Sequence, residues 1–149
     1  MEASQKNRDL RSRFESFCRH HQVEILYAFG SRAHEIHHAI EGGGGLEPEQ
    51  PSDVDIAVKL SRDRMLSVRE KAELAVALEN LMGVDRVDLV ILSQADPFLA
   101  VNIIRGERVF CTDDYEADEY ELYVLRRAGD LAPFEQMRIE RIMNSSESK

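Results

Sequence analysis

Two stretches decide how this chain reads: Tyr27-Ala28-Phe29-Gly30-Ser31-Arg32-Ala33 and, with 21 residues between the serine and the first aspartate, Asp53-Val54-Asp55-Ile56-Ala57-Val58. The apolar run Val23 to Phe29 predicts a short β-strand that Gly30-Ser31 ends. Ser31 to about Ile40 predicts a helix with Ser31 near its N-terminus. Val54 to Leu60 alternates as a second strand. Side chains alternate across a strand, so Asp53 and Asp55 share one face while Val54, Ile56 and Val58 share the other. A glycine lets backbone approach a ligand closely, and a serine at a helix N-terminus offers a hydroxyl and an N–H to phosphate oxygens. Two carboxylates one residue apart on a strand face repel unless a cation sits between them or water screens both. Magnesium suits such a pair, because it prefers oxygen ligands and is shared between carboxylates and substrate phosphates.

Asp-x-Asp at a strand edge can also be a turn device, and a lone Gly-Ser is weak. The weight comes from a third acid in the same pattern. In Val87-Asp88-Leu89-Val90-Ile91-Leu92, Asp88 shares a face with Val90 and Leu92, while Val87, Leu89 and Ile91 pack behind. If the two strands are neighbours, Asp53, Asp55 and Asp88 converge. Three acids there could hold two magnesium ions, the arrangement used for in-line phosphoryl or nucleotidyl displacement. Asp88 could also take the proton from an attacking hydroxyl. Asp85, just after the expected helix cap Gly83, reads as a turn residue.

Working outward, Gln5 to His21 predicts a helix with Leu10, Phe14 and Phe17 on one side, and Gly42 to Pro51 a loop. Val68 to Met82 is an amphipathic helix closed by Gly83. Pro97 to Arg105 predicts a short helix and Arg108 to Cys111 a strand. Asp114 to Met143 predicts helix interrupted near Pro133, with a frayed polar end from Asn144 to Lys149. The expected architecture is α/β (α+β): a small mixed β-sheet flanked by helices, with helical segments at 5–21 and 114–143 around a core at 23–111. The 149 residues are expected to form one domain, 1–149.

The formal charge of −9 speaks against direct, nonspecific binding of nucleic acid, which needs clustered Lys and Arg. No segment has the uninterrupted apolar length of a membrane span and the first residues lack a secretory pattern, so no membrane partner and a cytoplasmic location are expected. Cys18 and Cys111 stand alone in sequence and read as free thiols. The acidic run Asp113 to Glu121 reads first as a helix start favoured by the dipole, and second as a docking surface for a basic protein. His34, His37 and His38 have helical spacing that could make a metal face, but they read first as exposed residues on an extended helix. Tyr115, Tyr120 and Tyr123 read as packing residues.

The motifs at Tyr27–Ala33, Ser52–Val58 and Val87–Val90 resemble those of the minimal nucleotidyltransferases in the DNA polymerase β superfamily, and among them the MntA-type antitoxin branch. The resemblance covers about Val23 to Cys111, and Ile104-Arg105-Gly106-Glu107-Arg108-Val109-Phe110 is also similar to that branch. It implies that Gly30, Ser31 and the adjoining Arg32 bind the triphosphate, that Asp53 and Asp55 bind magnesium, and that Asp88 is the third catalytic acid. It also implies ATP as substrate and a HEPN-domain ribonuclease toxin as partner, silenced by transfer of AMP to a tyrosine. The chain departs from the pattern between Ser31 and Asp53, where the spacing is longer than usual and His34 and Glu35 replace the customary second Arg and Gly. Two alternatives stand beside this expectation: transfer to a small-molecule hydroxyl, as in antibiotic-modifying relatives, and an antitoxin that neutralises by binding alone.

Overall fold

The computed structural model describes residues 2–42, 46 and 52–147. In chain order the elements are α1 (Glu2–His20), β1 (Val23–Phe29), α2 (Ala33–Glu41), β2 (Val54–Leu60), α3 (Val68–Met82), β3 (Val87–Ile91), α4 (Pro97–Ile104), β4 (Glu107–Cys111) and α5 (Asp114–Glu147). The strands form one mixed sheet in the order β3-β2-β1-β4. β1 runs antiparallel to β2 and to β4, whereas β2 and β3 run parallel. This is the small mixed sheet flanked by helices that the sequence predicts.

Alternation sorts the strand residues into two cores. On one face Leu26, Ala28, Val54, Ile56, Val58, Leu89 and Ile91 pack with Phe14, Phe17 and Cys18 of α1, Ala33 and Ile36 of α2, and Leu74, Leu78 and Met82 of α3. On the other, Ile25, Tyr27, Phe29, Ala57 and Leu92 pack with Ala100 and Ile103 of α4 and Ala117 and Val124 of α5. Each fully buried aliphatic side chain contributes about 1.5–3 kcal/mol, so the first face, with three helices on it, carries the larger core. Burial of Cys18 there, aided by nearby Glu15, pushes its thiol up to about 12. α3 starts at a capping box in which Ser67 accepts from the Glu70 N–H and Glu70 accepts from the Ser67 N–H. It stops at Gly83, whose φ of +68° is the left-handed geometry of a helix end.

Three expectations change. α2 begins at Ala33, not Ser31, because Gly30 to Arg32 form a tight turn in which the Ala33 N–H donates to the Gly30 carbonyl at 3.3 Å. α5 runs unbroken through Pro133 and on to Glu147, so neither the interruption nor the loose segment from Asn144 is present among the described residues. A proline removes one helical hydrogen bond, but Pro133 lies on an exposed part of α5, where water can satisfy the carbonyl four residues earlier. Tyr115 and Tyr123 are exposed rather than packed. Of the Gly42–Pro51 loop, residues 43–45 and 47–51 lie outside the described residues. No helix among the described residues is long and apolar enough to cross a membrane.

Candidate active site

The parallel register of β2 and β3 places Asp55 directly beside Asp88. Asp53 immediately precedes β2, two residues from Asp55 and on the same side by alternation. The antiparallel register of β1 and β2 pairs Phe29 with Asp55, so the turn after β1 is delivered to the same corner. Gly30 has φ of +76°, and a Cβ built there would overlap Oδ2 of Asp55. A side chain is excluded both by the backbone geometry and by the carboxylate lying against the turn. Ser31 is exposed on that turn.

Charge repulsion is written into the corner. The Asp55 carboxyl is raised above its ordinary range, first by burial, then by the charges of Asp88 and Asp53, with a hydrogen bond to Asp88 adding to the shift. Asp53 and Asp88 are exposed and Asp55 is half-buried, so the three present oxygen atoms to an open rim. These are hard oxygen donors, chemically suited to magnesium. Among the described residues no group of three His, Cys, Asp or Glu side chains is disposed to hold a metal on its own. A magnesium ion commonly keeps waters and takes one or two carboxylates plus substrate phosphates, so an open pair of aspartates fits it better than a closed protein cage would.

Arg32 sits differently from the other members of the Gly30-Ser31-Arg32 turn. It is 4% exposed, its Nε and Nη2 donate to the two carboxylate oxygens of Glu35 at 3.0 and 2.7 Å, and Nη1 donates to the Ser52 carbonyl at 3.3 Å. The guanidinium therefore ties the turn after β1 to the residue preceding Asp53, which fixes the two halves of the corner relative to each other. This two-pronged arginine–carboxylate pairing is strong and directional. Of the histidines, His37 and His34 face Glu107 with Nδ1 at 3.3 and 3.8 Å from its carboxylate.

Residues that sequence reading passed over hold α5 to the sheet. The Tyr27 hydroxyl donates to Glu121 at 2.9 Å, and Arg108 donates to Glu121 at 2.8 Å and to Asp118 at 2.9 Å. Burial and the bond to Glu121 raise the Tyr27 hydroxyl above its ordinary range. Much of the acidic run is thus spent on Arg108, and Asp113 accepts from the Glu116 N–H to open the helix. The signal for this network was present only as an arginine in a strand preceding an acidic helix.

The aspartates of two parallel strands and a glycine-serine turn thus meet at one corner of a mixed sheet. Residues 13–115 match the family model described as polymerase β, nucleotidyltransferase, and the chain belongs to that family. No curated protein matches it. Its fold is similar to that of a mutant MntA–HpeT toxin–antitoxin complex, with TM-score 0.68 and 20% identity over 89% of this chain and 98% of that one. It is equally similar to a toxin–antitoxin structure with AMP-PNP, with TM-score 0.68 and 21% identity over 89% of this chain and 98% of that one. A third neighbour is a tri-AMPylated Shewanella oneidensis HEPN toxin in complex with MNT antitoxin, with TM-score 0.66 and 20% identity over 92% of this chain and 98% of that one.

Proposed function

We propose that this chain is a magnesium-dependent nucleotidyltransferase antitoxin that transfers AMP from ATP to a tyrosine hydroxyl of a partner HEPN ribonuclease toxin and so neutralises it. The observation that carries the chemistry is the in-register pair Asp55–Asp88, with Asp53 beside it and Gly30 against Asp55. Asp53 and Asp55 would hold magnesium, which when bound neutralises phosphate charge. Gly30 and Ser31 present backbone and hydroxyl to the β- and γ-phosphates. Asp88 accepts the proton of the acceptor hydroxyl as its oxygen attacks the α-phosphorus. The new O–P bond forms as the bond from the α-phosphorus to the bridging oxygen breaks, and pyrophosphate leaves with that electron pair. Positioning and charge neutralisation supply most of the rate. Arg32 serves the phosphate grip by positioning: its bonds to Glu35 and Ser52 hold the turn against the aspartates.

A protein acceptor, rather than a small molecule, is favoured by the C-terminal half of α5. Beyond Ala128, which is buried, the helix exposes Leu131, Phe134, Met137, Ile139, Ile142 and Met143, with Phe134 68% accessible. A run of exposed large apolar side chains along one helix suits a protein-binding surface. The kinship of fold with antitoxins seen beside toxins points the same way.

The test is intact-mass spectrometry of proteins that co-purify with the full chain, before and after Mg-ATP. The expected result is AMP-sized increments on tyrosine of the partner with wild type and none with the Asp53→Asn/Asp55→Asn double variant. Equal transfer by that variant overturns the mechanism. A partner inhibited without ATP and without gain of mass replaces it with neutralisation by binding, and transfer to free small hydroxyl compounds replaces it with the small-molecule reaction.

A further inference from the structure

The end of α1 carries a concentration of positive charge that the aspartate corner does not use. From Leu10 to His21 the chain has three arginines and two histidines against one acid, Glu15, in a protein of net charge −9. Ser12, Ser16 and His20 follow one another at four-residue steps, and Arg13, Phe17 and His21 do the same one position on. His21 continues the helical turn, its N–H donating to the Phe17 carbonyl at 3.0 Å. These two rows face Asn80 and Leu81 of α3 across a groove of about 770 Å³. Arg64, between β2 and α3, brings a further cation to the same end: its guanidinium donates to the Gln22 side chain and the His21 carbonyl, both at 3.3 Å. The acids of α3 are engaged elsewhere, Glu70 with the Ser67 N–H, Glu73 with Arg69 and Glu79 with the Val87 N–H. His21 registers the crowding: burial first, then the like charges of His20 and Arg64, hold its imidazole below the ordinary range.

We propose that this groove binds a small phosphorylated molecule, its phosphate among Arg13, Ser16 and His20 and its carbon body on Phe17 and Leu81. Like charges gathered at one place favour an ion of opposite sign, here an anion. A guanidinium, two serine hydroxyls and the Asn80 amide are donors suited to phosphate oxygens, and arginine meets them two at a time. The His20 and His21 rings, 4.7 Å apart and at right angles, and the Phe17 ring 4.6 Å from His21 give the groove an aromatic side. The volume lies within the roughly 300–1,000 Å³ of small-molecule sites. A nucleic-acid backbone would need such charge continued over a wider surface, which the net charge of −9 does not supply. Among the described residues, the non-glycine residues with positive φ are Gln22 and Arg62, at 57° and 56°, and both lie at this end. The Ser61 N–H donates to the Gln22 carbonyl at 3.0 Å, so the turn after α1 is pinned to the turn after β2. The groove is separate from the catalytic corner: β1 starts beside it at Val23 and reaches the corner at Phe29, roughly 20 Å away at about 3.3 Å per residue.

Imidazole NMR of the full chain in EDTA follows the addition of phenyl phosphate, inorganic phosphate, phenol and, at matched ionic strength, sodium chloride. Without metal the three aspartates repel anions, so the groove is read by itself. Phenyl phosphate is expected to shift the His20 and His21 resonances saturably and to bind more tightly than inorganic phosphate. It should also raise the pH at which His21 titrates, because an anion beside an imidazole favours the protonated form. His34, His37 and His38 should stay in place as the internal control. Arg13→Gln and His20→Gln, both at exposed positions of α1, are each expected to weaken phenyl phosphate about tenfold, the scale of one charge-assisted hydrogen bond. Shifts that chloride or phenol reproduces, shifts confined to His34, His37 and His38, or unchanged affinity in both variants overturn the site. A short single-stranded RNA that shifts the same two histidines at lower concentration overturns the small-molecule assignment. None of these outcomes bears on the aspartate corner, which is read by AMP transfer.

Discussion

Asp55→Asn is expected to make the metal-free protein more stable. The two side chains differ by one atom type, and the amide can still donate to Asp88, so the substitution removes charge while preserving shape and the hydrogen bond that joins the pair. Neighbouring strands lie about 4.8 Å apart, which sets the spacing of side chains paired across β2 and β3. Unit charges about 5 Å apart repel by roughly 0.8 kcal/mol in bulk water and about 3 kcal/mol at an effective dielectric of 20. Asp53 and Asp88 are exposed, so water screens both and the lower part of that range applies. Summed over both neighbours, relief of about 1–2 kcal/mol raises Tm by roughly 3–6 °C in a domain of this size. The sign follows from linkage. A carboxyl raised in the folded state favours folding where it is protonated, and that contribution is lost as pH rises through its shifted value. The advantage of Asp55→Asn should therefore be full at neutral pH and shrink as pH falls into the range where Asp55 takes up its proton. Thermal unfolding in EDTA at several pH values measures it, and magnesium with ATP should then stabilise wild type more than the variant. A variant less stable than wild type at pH 7 in EDTA, or a difference that ignores pH, refutes the argument.

Two further outcomes follow from the supports of α5. Tyr27→Phe removes the hydroxyl bonded to Glu121 but leaves Arg108 to satisfy that carboxylate, so denaturant unfolding should show a loss of about 1 kcal/mol, the usual net value of one hydrogen bond. Pro133→Ala restores a helical donor in the exposed half of α5, and amide hydrogen exchange should slow in the segment around residues 129–137 without a change in the sheet.

The meeting of the three aspartates was legible because strand alternation is a two-residue code. Asp53, Asp55 and Asp88 occupy positions that must oppose Val54, Ile56, Val87 and Leu89 once those valines and their neighbours are buried, and the sheet obeys. Gly30 was legible as a place of close approach, though not that the approaching group is Asp55 itself. Arg32 was read toward phosphate, whereas its guanidinium is held by Glu35, three residues on, and by a carbonyl 20 residues on. No local pattern distinguishes those destinations. Tyr27 and Glu121 are 94 residues apart, so only the closed fold discloses their bond. Pro133 misled because its penalty depends on whether the abandoned carbonyl meets protein or water, and that is a matter of tertiary environment.

The parallel pairing of β2 with β3 has a consequence for fidelity. A slip of β3 by a single residue would send Asp88 through to the face shared with α3 and bring Leu89 into the corner. That shift would inter a charge and expose a leucine, two penalties that reinforce each other. Ordinary hydrophobic patterning thus guards the corner against every odd slip: a sheet that has closed with its apolar residues inward has kept Asp55 and Asp88 on one face.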